Sequence, residues 1–294
     1  MIQADLQKYV EDHPELVTMR ESENFHGLYV LKYKKKIFYK NLWDEYLEEC
    51  RGTIVDKDFN VVSRPFTKIY NFRVESSAPV LADTEKVTSF RKINGFMCAL
   101  TAHDDKLIIS TTGSLDSPFV DKVKDMIDVD RYHRICLQYP AYTFLFECVH
   151  PSDPHIIREM PGMYLLGYRE KTWDSNIEFD QIPHFNDFFR SIDVPMEETT
   201  VGEVMENAKT AMHEGYVFYT KDGTAAKVKT QHYLVQKLLA RRKDVTTLNM
   251  NMVEEEYLPL VEAAQNAGAE FTDLEEQDRL VWCRKWLREN YAKV

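Results

Sequence analysis

Short runs of β-branched and aromatic residues, each closed by a turn, recur between Leu28 and Lys229 and then stop. Their length and composition suit strands. Beyond His232 the apolar residues fall at helical spacing only, over 233–243, 253–266 and 272–291. The pattern predicts an α+β fold: a mainly antiparallel body over residues 1–230, then a small all-helical domain over 231–294.

Strands are expected over 28–33, 37–39, 52–56, 60–66, 80–82, 86–92, 96–101, 107–110, 142–149, 163–168, 216–220 and 224–229. Helices are expected over 4–10, 42–49, 117–127, 183–191 and 201–212. In the last of these, Thr200 with Glu203 three residues on is a capping-box pattern. Asn94-Gly95 favours a tight turn, joining 86–91 and 96–101 as a hairpin. Lys221-Asp222-Gly223 does the same for 216–220 and 224–229.

The 294 residues suffice for a sizeable core. The five cysteines are scattered, with no C-x-x-C pair, which disfavours a disulfide framework or a zinc knuckle and points to a reducing cytosol. No apolar run reaches membrane-spanning length, and residues 1–6 lack a signal pattern. The net charge of −11 argues against nonspecific nucleic-acid binding. Yet cations cluster at 32–40, 64–73, 91–92, 221–229 and 237–243, as local phosphate-gripping pockets on an acidic body would require.

Several residues could carry chemistry. Lys92 stands at a turn mouth beside Arg91, where a neighbouring cation and partial desolvation favour the neutral, nucleophilic amine. Arg51 precedes Gly52 at a strand entry, and Lys68 follows a strand end among aromatics. Glu147 lies within the apolar run YTFLFECV, a costly position for an unpaired carboxylate. Glu214 opens a strand, and Lys227 and Lys229 share one face of its hairpin partner. Each of these, alone, also suits a structural role. The P-loop, dinucleotide-binding, zincin and α/β-hydrolase motifs are absent.

Taken in order, the pieces resemble the covalent nucleotidyltransferases: ATP-dependent DNA and RNA ligases and mRNA capping enzymes. Lys92-Ile93-Asn94-Gly95 resembles the nucleophile motif K-x-[DNH]-G. Glu147 within Phe146-Glu147-Cys148-Val149 and the strand Met163-Tyr164-Leu165-Leu166-Gly167-Tyr168-Arg169-Glu170 look like the next two motifs. Glu214-Gly215-Tyr216-Val217 is similar to E-G-x-V, and Lys227-Val228-Lys229 to K-x-K. Upstream, Glu49-Cys50-Arg51-Gly52-Thr53 and the segment Arg64 to Phe72 resemble the N-terminal part of bacteriophage RNA ligases that repair broken tRNA. Two departures stand out: Asn94 replaces the commoner Asp, and Thr112 replaces a lysine expected near the leaving pyrophosphate. The tail is too helical and too short for the OB domain of DNA ligases and capping enzymes.

The resemblance implies an ATP-dependent RNA ligase. Lys92 would be the nucleophile, with Lys227 and Lys229 on the α-phosphate and Arg51 and Lys68 on the β and γ phosphates. Arg91, Ile93 and Gly95 would help bind ATP, with side chains around Phe90 and Ile93 candidates to sandwich adenine. Glu147 and Glu214 would hold Mg²⁺ (or Mn²⁺) through water. The implied partner is RNA with 5′-phosphate and 3′-hydroxyl ends, tRNA among them, with a separate end-healing kinase/phosphatase. The setting would be a monomer in the cytoplasm of a bacterial or phage-infected cell. Two alternatives stay open: a DNA-sealing or capping nucleotidyltransferase, and a non-catalytic RNA-end-binding relative.

Overall fold

The computed structural model describes residues 2–153, 155–241 and 258–291. In chain order the strands are β1 (Val17–Glu21), β2 (Leu28–Tyr33), β3 (Arg51–Asp56), β4 (Val61–Ser63), β5 (Tyr70–Asn71), β6 (Lys86–Lys92), β7 (Phe96–His103), β8 (Lys106–Thr111), β9 (Tyr142–Val149), β10 (Gly162–Glu170), β11 (Met196–Thr200), β12 (Gly215–Thr220) and β13 (Ala225–Lys229). The helices are α1 (Ile2–Asp12), α2 (Lys35–Lys40), α3 (Glu45–Glu49), α4 (Pro118–Asp125), α5 (Val129–Gln138), α6 (Ile182–Phe189), α7 (Val201–Thr210), α8 (Gln231–Arg241), α9 (Leu258–Ala267), α10 (Ala269–Thr272) and α11 (Glu276–Trp286), the last running into π-helical Leu287–Tyr291. The fold is α+β. Among the described residues strand pairing is antiparallel apart from the two-residue β5–β13 ladder and one isolated bridge.

The chain divides into two compact units. The first comprises Met1–Lys68, Gly95–Pro154 and Glu159–Val194. It holds two four-stranded sheets, ordered β1-β2-β3-β4 and β10-β9-β7-β8. Leu6, Ile37 and Leu47 from α1, α2 and α3 pack with Leu31 and Val55 on one face of the first sheet. Val30, Ile54 and Val62 on its other face meet Ile108 and Leu115. The second sheet buries an aromatic core of Phe144, Phe146 and Tyr168 beneath α5 and α6, which contribute Tyr132, Phe185 and Phe189.

The second unit comprises Ile69–Asn94, His155–Arg158 and Pro195–Val294. Its five-stranded sheet runs β11-β6-β12-β13-β5. Val87, Phe218 and Val228 from this sheet share one core with Val201 and Val204 of α7, Leu234 of α8, Val261 of α9 and Cys283 of α11. Residues of α8, α9 and α11 thus join the same core as this sheet. The part of the expected helix 233–243 beyond Arg241 and residues 253–257 lie outside the described residues. No described helix is long and apolar enough to cross a membrane.

Several expectations change. Asn94-Gly95 does not close a hairpin: β6 pairs with β11 and β12, whereas β7 pairs with β8 and β9. Neither turn residue takes a positive φ. The lysine-rich segment expected as strand 37–39 is α2, closed by Asn41 in the left-handed conformation. Residues 80–82 form no strand: Val80 is fully exposed, and Leu81 packs against the core from an irregular segment. β1, β5, β11, α5 and α10 are additions; α5 is capped by Asp128 and buries Tyr132, Ile135 and Cys136 at helical spacing. The Thr200–Glu203 capping box forms as expected, and so does the β12–β13 hairpin, with Gly223 at φ +88°.

Candidate active site

Strand alternation sorts the second unit's motif residues onto two faces. Lys92 pairs in register with Gly215, and Gly215 with Lys229; Phe90 pairs with Val217, and Val217 with Lys227. Directly opposed residues share a face, as do residues two apart. Lys92, Lys227 and Lys229 therefore stand on one face with Phe90. Val87, Ser89 and Arg91 project from the other, where Val87 meets the core. Arg91 lines a cavity of about 220 Å³ with Ser89, His213 and Tyr216. Arg91 and Lys92, as adjacent strand residues, point to opposite faces. Ile93 is buried, with 2% of its surface exposed.

Glu214, one residue before β12, organises the lysine face. Its Oε2 accepts from Lys92 Nζ at 2.8 Å and from Asn94 Nδ2 at 3.1 Å, and its Oε1 accepts from Lys229. Asn94 is fixed from its other end, where Oδ1 accepts the Ile157 N–H at 3.0 Å. Asn94 in place of Asp thus has a local reason: its amide donates to a carboxylate that a second carboxylate would repel. Burial pushes the Glu214 carboxyl up, but Lys92 and Lys229 outweigh it and hold the pKa at about 2. So weak a base orients ammonium groups and takes no proton from them near neutrality. Lys229 Nζ also sits 4.5 Å from the Tyr233 ring centroid, and Lys237 Nζ lies 5.6 Å from the same ring. Tyr233 carries no motif that would single it out in the sequence, and Lys237 stands out there only as the first member of the cation cluster 237–243.

The first unit holds the remaining candidates. Glu147 is buried on β9, and its Oε1 accepts the Gly95 N–H at 3.0 Å, part of the pairing a carboxylate in an apolar run needs. Gly95 is required there by close approach: a Cβ would stand 2.3 Å from the Cys148 carbonyl oxygen. Arg51 begins β3 and lies over the Tyr33 ring at 5.9 Å. Lys68 is buried with its Nζ 4.8 Å above the Trp43 ring. The Tyr33 and Trp43 rings meet edge to face at 4.7 Å, so two aromatics link cations seventeen positions apart in sequence. Sequence reading passed over both rings.

A buried clasp supports this cation pair. Glu49 accepts from Arg64 through both oxygens, at 2.5 and 2.9 Å. Arg64 Nη1 donates onward to the Thr172 and Ser175 carbonyls at 2.7 and 3.0 Å. The clasp ties the start of β3 to the segment that carries Lys68.

Among the described residues no three His, Cys, Asp or Glu side chains converge to hold a metal ion. Mg²⁺ commonly keeps several waters and leans on one or two carboxylates and substrate phosphates, and carboxylate is the donor type that Glu147 and Glu214 each supply.

The architecture defines the class. An archaeal ATP-dependent RNA ligase superposes with a TM-score of 0.63 at 15% identity, over 97% of this chain and 76% of that one. A protein of Aquifex aeolicus assigned as an ATP-dependent DNA ligase gives 0.58 at 16% identity, over 98% and 81%. The fold is thus that of the ATP-dependent polynucleotide ligases. Within that class, residues 49–238 match the RNA ligase family, and the chain belongs to it.

Proposed function

We propose that this enzyme joins RNA 5′-phosphate and 3′-hydroxyl ends at the expense of ATP, through a lysyl-AMP on Lys92. The observation that carries the reading is the pairing of Lys92 and Lys229 on the single buried carboxylate of Glu214. That arrangement holds an amine at a strand end with a second cation beside it, in a chain of the RNA ligase family.

The amine of Lys92, after losing a proton to solvent, attacks the α-phosphorus of ATP. An N–P bond forms, the bond to the bridging oxygen breaks, and its electron pair leaves with pyrophosphate. An oxygen of the RNA 5′-phosphate then attacks the same phosphorus, and the P–N bond breaks to return the lysine. Finally the 3′-hydroxyl attacks the activated 5′-phosphate, loses its proton, and AMP departs. Negative charge grows on phosphoryl oxygens at each step, which is where fixed cations count most. Lys227 and Lys229 are assigned to the α-phosphate, Arg51 and Lys68 to the terminal phosphates, and Glu147 and Glu214 to the water shell of Mg²⁺ or Mn²⁺. Such an ion, when bound, neutralises phosphate charge. Glu214 keeps Lys92 oriented, and Asn94 keeps Glu214 oriented. tRNA is one RNA that this chemistry would serve, with an end-healing kinase/phosphatase preparing the termini.

The test is intact mass after incubation with ATP and Mg²⁺, for wild type and Lys92→Ala. An AMP-sized gain in wild type alone, reversed by pyrophosphate, is the expected outcome. Its absence in folded protein free of bound adenylate would overturn the reading. Sealing assays with RNA and DNA strands in parallel then decide the polymer.

A further inference from the structure

The cavity beside β6 plays no part in the chemistry above. It lies on the face of β6 opposite Lys92, and all its walls belong to the second unit. Ser89 and Arg91 line it with Pro195, Glu197, His213 and Tyr216. Glu197 of β11 is the register partner of Ser89, so the two share a face. The Arg91 N–H donates to the Pro195 carbonyl at 2.9 Å, which holds the start of β11 against the end of β6. At about 220 Å³ the space is smaller than the roughly 300–1,000 Å³ of sites for drug-sized ligands, and it suits one ring system.

Two polar atoms in its walls are buried without a hydrogen-bond partner among the described residues: Oγ of Ser89, a residue only 1% exposed, and Nδ1 of His213. Such atoms cost free energy unless something enters to meet them. Burial and the Arg91 cation hold the His213 pKa below its usual value, so the ring meets a ligand as a neutral hydrogen-bonding group. His213 and Tyr216 stand edge to face with ring centroids 4.7 Å apart. Tyr216 and Pro195 add flat apolar surface. Glu197 is exposed to solvent, and after burial its charge is the main cause that raises the Tyr216 pKa, which places the carboxylate near that ring.

A flat apolar wall with polar atoms at its edges complements a nucleobase. Single-stranded RNA is read in this way, by an unstacked base drawn onto an aromatic side chain and hydrogen-bonded along its edge. The carboxylate selects the base. It only accepts hydrogen bonds, and it accepts a parallel pair best. Among the four RNA bases guanine alone carries two donors side by side, N1–H and the N2 amine. Adenine and cytosine set one amine beside an acceptor nitrogen, and uracil sets one N–H between two carbonyls. The positive charge of Arg91 offsets the repulsion between Glu197 and RNA phosphates. We propose that this cavity binds one unpaired guanine of the RNA and gives the enzyme a sequence preference away from the ends being joined. The choice of RNA rests on the ligase reading.

The test is fluorescence anisotropy of labelled RNA hexamers with the full chain and Mg²⁺, without ATP. One hexamer is all uridine, and the others carry a single guanosine, inosine, adenosine or cytidine. Wild type should bind the guanosine hexamer about 5-fold or more tightly than the uridine, adenosine and cytidine ones, the low end expected of a bidentate base contact. Inosine, which lacks the N2 amine, should lose most of that preference. In Glu197→Ala the guanosine and inosine hexamers should bind within about 2-fold of each other. Each readout is a ratio between RNAs, so the general gain in RNA affinity from removing a negative charge cancels. A urea midpoint matching wild type shows that the variant is folded. Equal affinity for all hexamers in wild type, or none, would overturn the proposal. So would a guanosine preference that survives Glu197→Ala. Glu197-dependent binding of guanosine monophosphate, with no preference among the hexamers, would assign the cavity to a free nucleotide and overturn its RNA role. None of these measurements uses ATP or a sealing step. Failure of wild type to form the Lys92 adenylate would count against the ligase reading instead, and the guanosine comparison would still decide what the cavity binds.

Discussion

The Nζ of Lys92 lies 2.8 Å from Oε2 of Glu214, whose side chain is 3% exposed. Removing the charge while keeping the shape, as in Glu214→Gln, leaves Lys92 and Lys229 facing each other without their anion. Breaking a buried pair from one side costs roughly 3–5 kcal/mol. We expect Glu214→Gln to unfold at markedly lower denaturant and to form adenylate at least 100-fold more slowly. Urea unfolding and intact mass measure the two effects separately.

The same carboxyl gives a pH signature. Its folded pKa, about 2, lies below the ordinary 4.5. The stabilisation it provides is therefore fully present above about pH 4.5 and is lost as pH falls toward 2. A difference of that size corresponds to about 3 kcal/mol. Wild type should lose stability steeply across this window, whereas Glu214→Gln should lose less. Parallel curves for the two proteins would remove Glu214 as the cause.

Glu49 and Arg64 make a second buried pair, at 5% and 13% side-chain exposure for Arg64 and Glu49 respectively. Glu49→Ala strands the guanidinium and should cost roughly 3 kcal/mol, whereas the double change Glu49→Leu with Arg64→Met should recover much of it. A double-mutant cycle by chemical denaturation checks this.

Trp43 supports Lys68 through its ring face. Such contacts are worth about 0.5–2 kcal/mol. Trp43→Leu should therefore raise the ATP concentration for half-maximal adenylate formation by roughly 3- to 30-fold. Joining of pre-adenylated RNA reports whether the defect is confined to the ATP step.

Gly95→Ala should be severe for its size. The added methyl would collide with the Cys148 carbonyl and push the Gly95 N–H off Glu147. Overpacking of this kind costs roughly 1–3 kcal/mol. We expect a lowered Tm and weak adenylate formation. Arg91→Ala, by contrast, should alter adenylate formation less than threefold, because Arg91 projects from the opposite face of β6.

Much of the chain could be read locally. Strand length and turn chemistry fixed β6, β9 and the β12–β13 hairpin within a residue or two, and the α7 capping box is written in Thr200 and Glu203. The order of Lys92, Glu147, Glu214 and Lys229 along the chain resembled the motifs of the covalent nucleotidyltransferases, and the expected chemistry came from that resemblance. Partner choice could not be read. An Asn-Gly step looks the same whether it closes a hairpin or passes between sheets, and only the pairing of β6 with β12 and of β7 with β9 separates the two. Strand parity put Arg91 and Lys92 on opposite faces, and it acts only once the sheet exists. The aromatic support of Arg51 and Lys68 depends on contacts between strands and loops distant in sequence. The amino-acid order determined which elements form, since propensities and caps act over a few residues. Tertiary structure decided which charges meet, because electrostatic pairing depends on distance in space and on burial, and neither is a local property of the chain.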